Sequence, residues 1–145
     1  MIVVDTSVFI DLFFEYDRKR TKLADALFKT IEEKEVPIFE PKVFKIELIG
    51  QLVRRTKKDR ASIIAEDVFK DVNFIEDSEI YELTFLIAFE TGCRTIDSFY
   101  ITTAKVGNAI FVSNEKVQVE SAKKFGVEAF HLIEEFEEIK KELGE

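Results

Sequence analysis

Four acidic residues stand where carboxylates could take part in metal-assisted chemistry. Asp5 directly follows the first apolar run, and Glu115 follows the apolar run at 109–112. Glu47 and Asp97 lie in stretches whose apolar residues recur at helical spacing. Carboxylates that come together repel one another, and one or two Mg²⁺ or Mn²⁺ ions supply the compensating charge while preferring oxygen ligands. Such a site polarises phosphoryl oxygens and forms hydroxide from bound water near neutral pH.

The segments that must position these acids alternate between short strands and helices. Apolar runs predict strands at Ile2–Val4, Val36–Phe39, Val72–Ile75, Ala109–Val112 and Val127–Leu132. Helices are predicted after Asp5 and at about 20–34, 43–56, 60–70, 77–91, 97–106 and 116–125, with a helical tail from Ile133. Pro37 suits an edge or strand-start position, Pro41 suits an early helical position, and Gly92 a helix end. The alternation predicts one α/β domain over residues 1–145, built on a parallel sheet.

A parallel sheet of this kind predicts where the acids meet. Ligands bind outside the carboxyl ends of the strands, near the point where the strand order reverses. Asp5 lies at the end of the first predicted strand and Glu115 just beyond the fourth, so the acids are expected to converge at one sheet edge. Ordinary helix chemistry offers an alternative for three of them. Asp5 and Asp97 suit helix caps, and Glu115 suits a first helical turn beside the helix dipole.

Glu47 has the strongest argument from its local surroundings. Its helical neighbours include Val43, Phe44 and Gly50, so the predicted face is mostly apolar. Burying a carboxylate there is costly unless it is paired or holds a metal ion. We therefore expect Glu47 to be a functional acid.

Composition excludes several other kinds of protein. A net charge of −8 and a pI near 4.9 weigh against a simple electrostatic nucleic-acid binder, but not against an enzyme that gathers acids around cations. The single Cys93 rules out an internal disulfide and suits a reducing cytoplasm, and the lone His131 cannot form a histidine metal cluster. Neither a membrane span nor a removable leader is expected. The basic runs at 18–20 and 54–60 could follow a phosphate backbone, although solvated helix faces are the simpler interpretation.

The acids lie in segments that resemble a known family. The opening run at 3–11, VVDTSVFID, is similar to the start of PIN-domain proteins, especially VapC-type toxin nucleases. The segment IDSFYITTA at 96–104 resembles the central acidic helix of that family, and FVSNEK at 111–116 its final block. KIEL at 45–48 matches the second acid. The order and spacing agree over essentially the whole chain.

The resemblance implies a three-layer sandwich with a central parallel five-stranded sheet, Mg²⁺-dependent cleavage of RNA, and a homodimer. For the toxin branch it also implies a small protein antitoxin. Asp5, Glu47, Asp97 and Glu115 become the catalytic and metal-binding set, with Thr6, Ser113 and Asn114 as supporting residues that could equally be capping and turn residues. The chain departs from the family in two ways. Position 115 is Glu where Asp is more common, and the chain is less basic than many toxins.

Other residues and functions were predicted to be less important. Asp11 could lie near the site, although an exposed helix position is the simpler interpretation, and Phe13, Phe14, Phe44 and Phe99 are expected in the core or a dimer interface. No functional role is predicted for Tyr16, Tyr81 or His131. The alternatives to a toxin are an RNA-processing nuclease, a binding or scaffold domain, and a phosphoryl-transfer protein with Asp5 as nucleophile. The last usually has a second acid beside the first, whereas Thr6 and Ser7 follow Asp5 here.

Overall fold

A parallel five-stranded sheet forms the centre of the computed structural model, which describes residues 1–144. The strands are β1 (Ile2–Val4), β2 (Ile38–Pro41), β3 (Val72–Ile75), β4 (Ile110–Ser113) and β5 (Ala129–His131). Their order across the sheet is β3-β2-β1-β4-β5, and every neighbouring pair is parallel. The predicted α/β sandwich with five parallel strands is confirmed.

Helices connect the strands and flank the sheet. They are α1 (Thr6–Phe13), α2 (Arg18–Glu33), α3 (Phe44–Val53), α4 (Lys58–Lys70), α5 (Asp77–Thr91), α6 (Thr95–Gly107), α7 (Lys116–Lys124) and α8 (Phe136–Glu142). Helix α6 packs against β1, β2 and β4, and α5 packs on α6. Strands β1 and β4 are buried along their whole length, which explains why both are apolar.

The second strand was predicted two residues too early. Ile38–Pro41 form β2, so Pro41 ends a strand and is not an early helical residue as predicted. Pro41 has no N–H to donate, and the pairing with β3 continues past it through the Lys42 N–H, which bonds to the Ile75 carbonyl at 2.9 Å. The shift places Glu40 inside the strand, beside Val4 of β1.

Other segment ends agree with the sequence to within a few residues. Helix α5 ends at Thr91, and Gly92 adopts a left-handed conformation (φ 68°) that favours glycine, as predicted. Helix α6 starts at Thr95, so Asp97 lies in its first turn and does not begin the helix. The final helix begins at Phe136, later than predicted, after a turn in which the Glu135 N–H bonds to the His131 carbonyl at 2.8 Å.

The strand order creates a crevice at one sheet edge. From β1 the chain continues to β2 on one side, while β4 lies on the other side. Side chains at the carboxyl ends of β1 and β4 therefore face a shared opening, the usual ligand position in such sheets. Within residues 1–144, no helix is both long and apolar enough to cross a membrane.

Candidate active site

One cavity at the carboxyl edge of the sheet contains all four predicted acids. Its volume is about 400 Å³. Asp5 comes from the end of β1, Glu47 from α3, Asp97 from α6, and Glu115 from the residue before α7. Arginines and polar residues complete the lining, among them Ser7, Asp11, Arg20, Gln51, Arg55 and Arg94. The strand order and the helix packing thus bring together acids that are far apart in sequence.

Asp5 is buried and receives neutral hydrogen-bond donors. The residue is 5% exposed, and its Oδ2 accepts from the Ser113 hydroxyl at 2.7 Å and the Ser7 hydroxyl at 3.1 Å. The pKa of Asp5 is raised from 3.8 to about 6, chiefly by burial and to a smaller extent by Glu115 and Asp97, against the lowering effect of the Ser113 and Ser7 hydroxyls. Asp5 also caps α1 weakly through the Ser7 N–H, so the two interpretations of this residue are compatible.

Arg94 bridges Asp97 and Glu115. Its Nε donates to Asp97 Oδ2 at 2.8 Å and its Nη2 donates to Glu115 Oε2 at 2.9 Å. The Gln118 amide also donates to Asp97. Burial raises the pKa of Asp97 even though Arg94 and Gln118 favour its charged form. Glu115 is the N-cap residue of α7, but its side chain makes no capping bond there and is held by Arg94.

Sequence reasoning missed both of these partners. Arg94 precedes Asp97 by three residues, and Gln118 follows Glu115 by three, which is the separation of neighbours on a helix surface. That spacing could have identified Arg94 as a neighbour of Asp97. The contact of Arg94 with Glu115 could not be predicted from the sequence, because it joins two different elements.

Glu47 occupies a different environment from the one predicted. Its side chain is half-buried and faces the cavity, where Oε1 accepts from the Gln51 amide at 3.2 Å. Its carboxylate is therefore partly open to water and is not buried on an apolar face as the sequence suggested. The cost of burying a carboxylate was therefore the wrong reason for singling out Glu47.

The three supporting residues have separate structural roles. Ser113 links the acids, because its hydroxyl donates to Asp5 and accepts from the Glu115 N–H at 3.0 Å. The Thr6 hydroxyl is hydrogen-bonded to that of Tyr100, in the buried layer beneath the cavity. Asn114 donates to Asp11 Oδ2 at 2.6 Å and to none of the four predicted acids.

Asp11 is buried, so its predicted exposed position is wrong. The side chain is 7% exposed and its Oδ2 also accepts from Arg20 Nε at 3.0 Å. Helix α2 folds back along α1 and brings Arg20 to this carboxylate, a contact that helical periodicity does not reveal. Asp11 thus has its own cation and its own amide.

Glu40 is a further acid that sequence reasoning missed. It is fully buried, and Oε2 accepts from the Val4 N–H at 3.1 Å. Within the described residues, its other carboxyl oxygen has no hydrogen-bond partner. Burial therefore raises the pKa of Glu40 well above its usual range. The predicted strand ended at Phe39, so it did not include this residue.

The donor set fits a hard divalent cation by its chemistry. All four acids offer oxygen ligands, and the raised pKa of Asp5 reflects burial beside other carboxylates without a cation of its own. Within residues 1–144, no three His, Cys, Asp or Glu side chains stand close enough together to hold a metal ion. Arg94 and Gln118 hold Asp97 in place of a metal, and Gln51 holds Glu47. Side-chain rotation would have to bring these oxygens together.

Comparison with known proteins decides the family. The sequence matches the PIN domain family over residues 2–124. This chain belongs to the PIN domain family. PIN domains are generally nucleases, and they typically use a divalent metal ion. No match was found among curated protein sequences.

Solved structures share the fold of this PIN domain. PAE2754 from Pyrobaculum aerophilum is 17% identical, with a TM-score of 0.66 over 98% of this chain and 88% of its own. FitAcB from Neisseria gonorrhoeae is 16% identical, with a TM-score of 0.63 over 92% of this chain and 99% of its own. A toxin-antitoxin complex from Klebsiella pneumoniae is 17% identical, with a TM-score of 0.57 over 79% of this chain and 87% of its own. At these identities the likeness extends to the fold alone.

Proposed function

We propose that this PIN domain is a Mg²⁺-dependent endoribonuclease, with Mn²⁺ as a substitute, that hydrolyses phosphodiester bonds in single-stranded or structured RNA. The observation that supports this most strongly is the convergence of four carboxylates in one cavity at the switch point of the sheet. A scaffold gains nothing from gathering mutually repelling acids, and perturbed carboxylates in a cleft are typical of catalytic sites. This favours catalysis over a binding role alone.

In this proposal Asp5 and Asp97 are the main metal ligands, and Glu47 and Glu115 complete the set, directly or through water. The bound ion would polarise a phosphoryl oxygen and lower the pKa of the attacking water. Ser113 orients Asp5 through its 2.7 Å hydrogen bond. Gln118 orients Asp97.

Arg94 has a second role in the proposal. It neutralises Asp97 and Glu115 until a cation does so, and its guanidinium then becomes available to a phosphate group. Its side chain is 66% exposed, so this exchange requires no rearrangement of the core.

The decisive experiment compares cleavage of single-stranded RNA by the wild type, Asp5→Asn and Asp97→Asn, with Mg²⁺ and with EDTA. We expect cleavage by the wild type in Mg²⁺ only, and a loss of activity in both variants. Equal activity in all three proteins would overturn the assigned site. Equal activity with EDTA would overturn the metal requirement.

We further propose that the chain acts in the cytoplasm as the toxin of a toxin–antitoxin pair and forms a homodimer. The fold match to a solved toxin–antitoxin complex supports the first part. Exposed apolar side chains on α5, namely Tyr81, Phe85, Leu86 and Phe89, offer a surface for a second copy. The alternatives are an RNA-processing nuclease and a catalytically weak scaffold domain.

Two measurements separate these possibilities. Light scattering on the purified chain is expected to give the mass of a dimer, and a monomer at micromolar concentration would contradict this. A small reading frame directly upstream, whose product binds the chain and stops cleavage, is expected for a toxin. RNA cleavage without such a frame would favour a processing enzyme.

A further inference from the structure

The mouth of the cavity differs in character from its acidic floor. Tyr16, in the loop between α1 and α2, and Arg55, directly after the cap of α3, both line the same cavity as the acids. The Arg55 guanidinium carbon lies 5.8 Å from the centre of the Tyr16 ring. An arginine and an aromatic ring from separate elements thus meet at one side of the opening.

Tyr16 presents its ring to solvent. The residue is 68% exposed, and its ring stacks on Phe14 with a centroid separation of 6.4 Å and an interplanar angle of 26°. Phe14 is partly buried against the core, so it supports the exposed ring from below. An exposed aromatic ring held in this way provides a surface on which another flat group can stack.

Arg55 is held in position by neutral partners. Its Nη1 donates to the Gln51 carbonyl at 2.8 Å and to the Gln51 side-chain oxygen at 2.7 Å. Gln51 in turn donates to Glu47 at 3.2 Å. A continuous chain of contacts therefore runs from the Tyr16 ring to one of the proposed catalytic acids.

The three arginines that line the cavity differ in whether an acid of the chain neutralises them. Arg20 is paired with Asp11, and Arg94 with Asp97 and Glu115. The hydrogen-bond partner of Arg55 within residues 1–144 is the uncharged Gln51. In a chain of net charge −8, a polyanionic substrate needs such a local positive charge.

We propose that Tyr16 and Arg55 form a binding subsite for one unpaired nucleotide of an RNA strand. The base stacks on the Tyr16 ring and the adjoining phosphate binds the Arg55 guanidinium, which places the next part of the backbone over the acids. Only an unpaired base can stack in this way, so the subsite selects single-stranded RNA. The inference rests on the proposed function, since it takes RNA as the substrate.

The test measures equilibrium binding of fluorescently labelled RNA to the full chain in EDTA, with intact RNA verified on a gel. The ligands are a single-stranded oligonucleotide, the same strand in a duplex, and the same strand with abasic positions. The variants are Tyr16→Ala, Tyr16→Phe and Arg55→Gln. Matched controls are Ile63→Ala, an exposed apolar residue on α4, and Lys57→Gln, an exposed residue of the same basic run. Circular dichroism verifies that each variant folds.

For single-stranded RNA we expect about tenfold weaker binding by Tyr16→Ala, because one base loses its stacking partner. Tyr16→Phe and both controls should bind like the wild type. Arg55→Gln should bind more weakly and with a shallower salt dependence. Neither duplex nor abasic RNA should distinguish Tyr16→Ala from the wild type.

Three results would overturn the subsite. They are wild-type affinity of Tyr16→Ala for single-stranded RNA, an equal loss of affinity for all three ligands, and no RNA binding by the wild type. Tyr16-dependent binding without metal-dependent cleavage would instead refute the proposed nuclease while leaving the subsite in place. Cleavage that does not depend on Tyr16 would refute the subsite alone.

Discussion

Asp5 and Asp11 are buried to the same degree and line the same cavity, yet their partners differ. Asp11 accepts from the Arg20 guanidinium and the Asn114 amide, so its charge is balanced within the chain. Asp5 accepts from serine side chains and the Ser7 N–H, and the nearby Glu115 and Asp97 raise its pKa. A buried carboxylate with its own cation stabilises the fold. One without such a cation is available to an external ligand.

The largest expected difference between the two aspartates is in catalysis. Asp5→Asn should lower RNA cleavage by on the order of 10²–10³, because it removes a carboxylate from the reacting centre. Asp11→Asn should stay within about tenfold of the wild type, since it removes a residue from beside that centre. Rates are compared at a temperature where both variants are folded. Similar losses of cleavage activity in the two variants would mean that Asp5 and Asp11 belong to one functional cluster.

The second difference is in stability. Asp11→Ala should lower the free energy of unfolding by about 2 kcal/mol, because it leaves the buried Asn114 amide and the partly exposed Arg20 without their partner. The control Asp25→Ala removes a well-exposed ion pair with Lys29 and should cost less than about 1 kcal/mol. Urea denaturation of the metal-free protein measures both values. Equal effects would show that Asp11 is not a structural carboxylate.

The third prediction concerns pH. Burial raises the pKa of Asp5 to about 6 in the folded state from 3.8, so between these values the native state binds a proton that the unfolded chain has released. Stability from this group is therefore present at low pH and is lost as the pH rises through about 6. The neutral variant Asp5→Asn should be more stable than the metal-free wild type by about 2 kcal/mol near neutral pH.

This gain should disappear at about pH 4, where the native wild type is also protonated at Asp5. Unfolding curves at several pH values measure the trend. A gain that stays constant across this range would contradict the account, because it would come from packing and not from the charge of Asp5.

The smallest expected effect concerns Asp97 and Glu115, which pair with an arginine of the chain and are also proposed metal ligands. Arg94→Ala removes the guanidinium that holds Asp97 and Glu115, and should tighten Mn²⁺ binding by about threefold to tenfold in a calorimetric titration. The expected change in affinity is small because the Arg94 side chain is 66% exposed, so water screens its charge. Arg18→Ala, which removes a more exposed ion pair on α2, serves as the control. Weaker Mn²⁺ binding by Arg94→Ala would show that the arginine supports the cation and does not compete with it.

Much of the fold could be predicted because its signals are local. Apolar runs of strand length, helical spacing and Gly92 place the segments to within a few residues. Asp5 was identifiable because it directly follows the first strand. The errors at Pro41 and Glu40 arose because an apolar run does not show where strand pairing ends; that depends on the neighbouring strands β1 and β3.

The hydrogen-bond and ion-pair partners of the acids were harder to predict from the sequence. Asp11 seemed exposed because its own helix contains no cation for it, and Arg20 comes from the next helix. Glu47 was selected for its apolar neighbours, whereas its side chain faces the cavity and bonds to Gln51. In both cases the environment depends on how helices pack, which hydrophobic spacing does not specify.

By itself, the sequence determined the order of strands and helices and their positions to within a few residues, and hence that the acids come to one edge of a parallel sheet. The reason is that backbone geometry and hydrophobic spacing act over a few neighbouring residues. Only the tertiary structure decided which acids have a cation. Charge balance depends on contacts between different elements, such as those of Arg94 with Glu115 and Arg20 with Asp11. These contacts separate the aspartate that supports the fold from the one left open to a ligand.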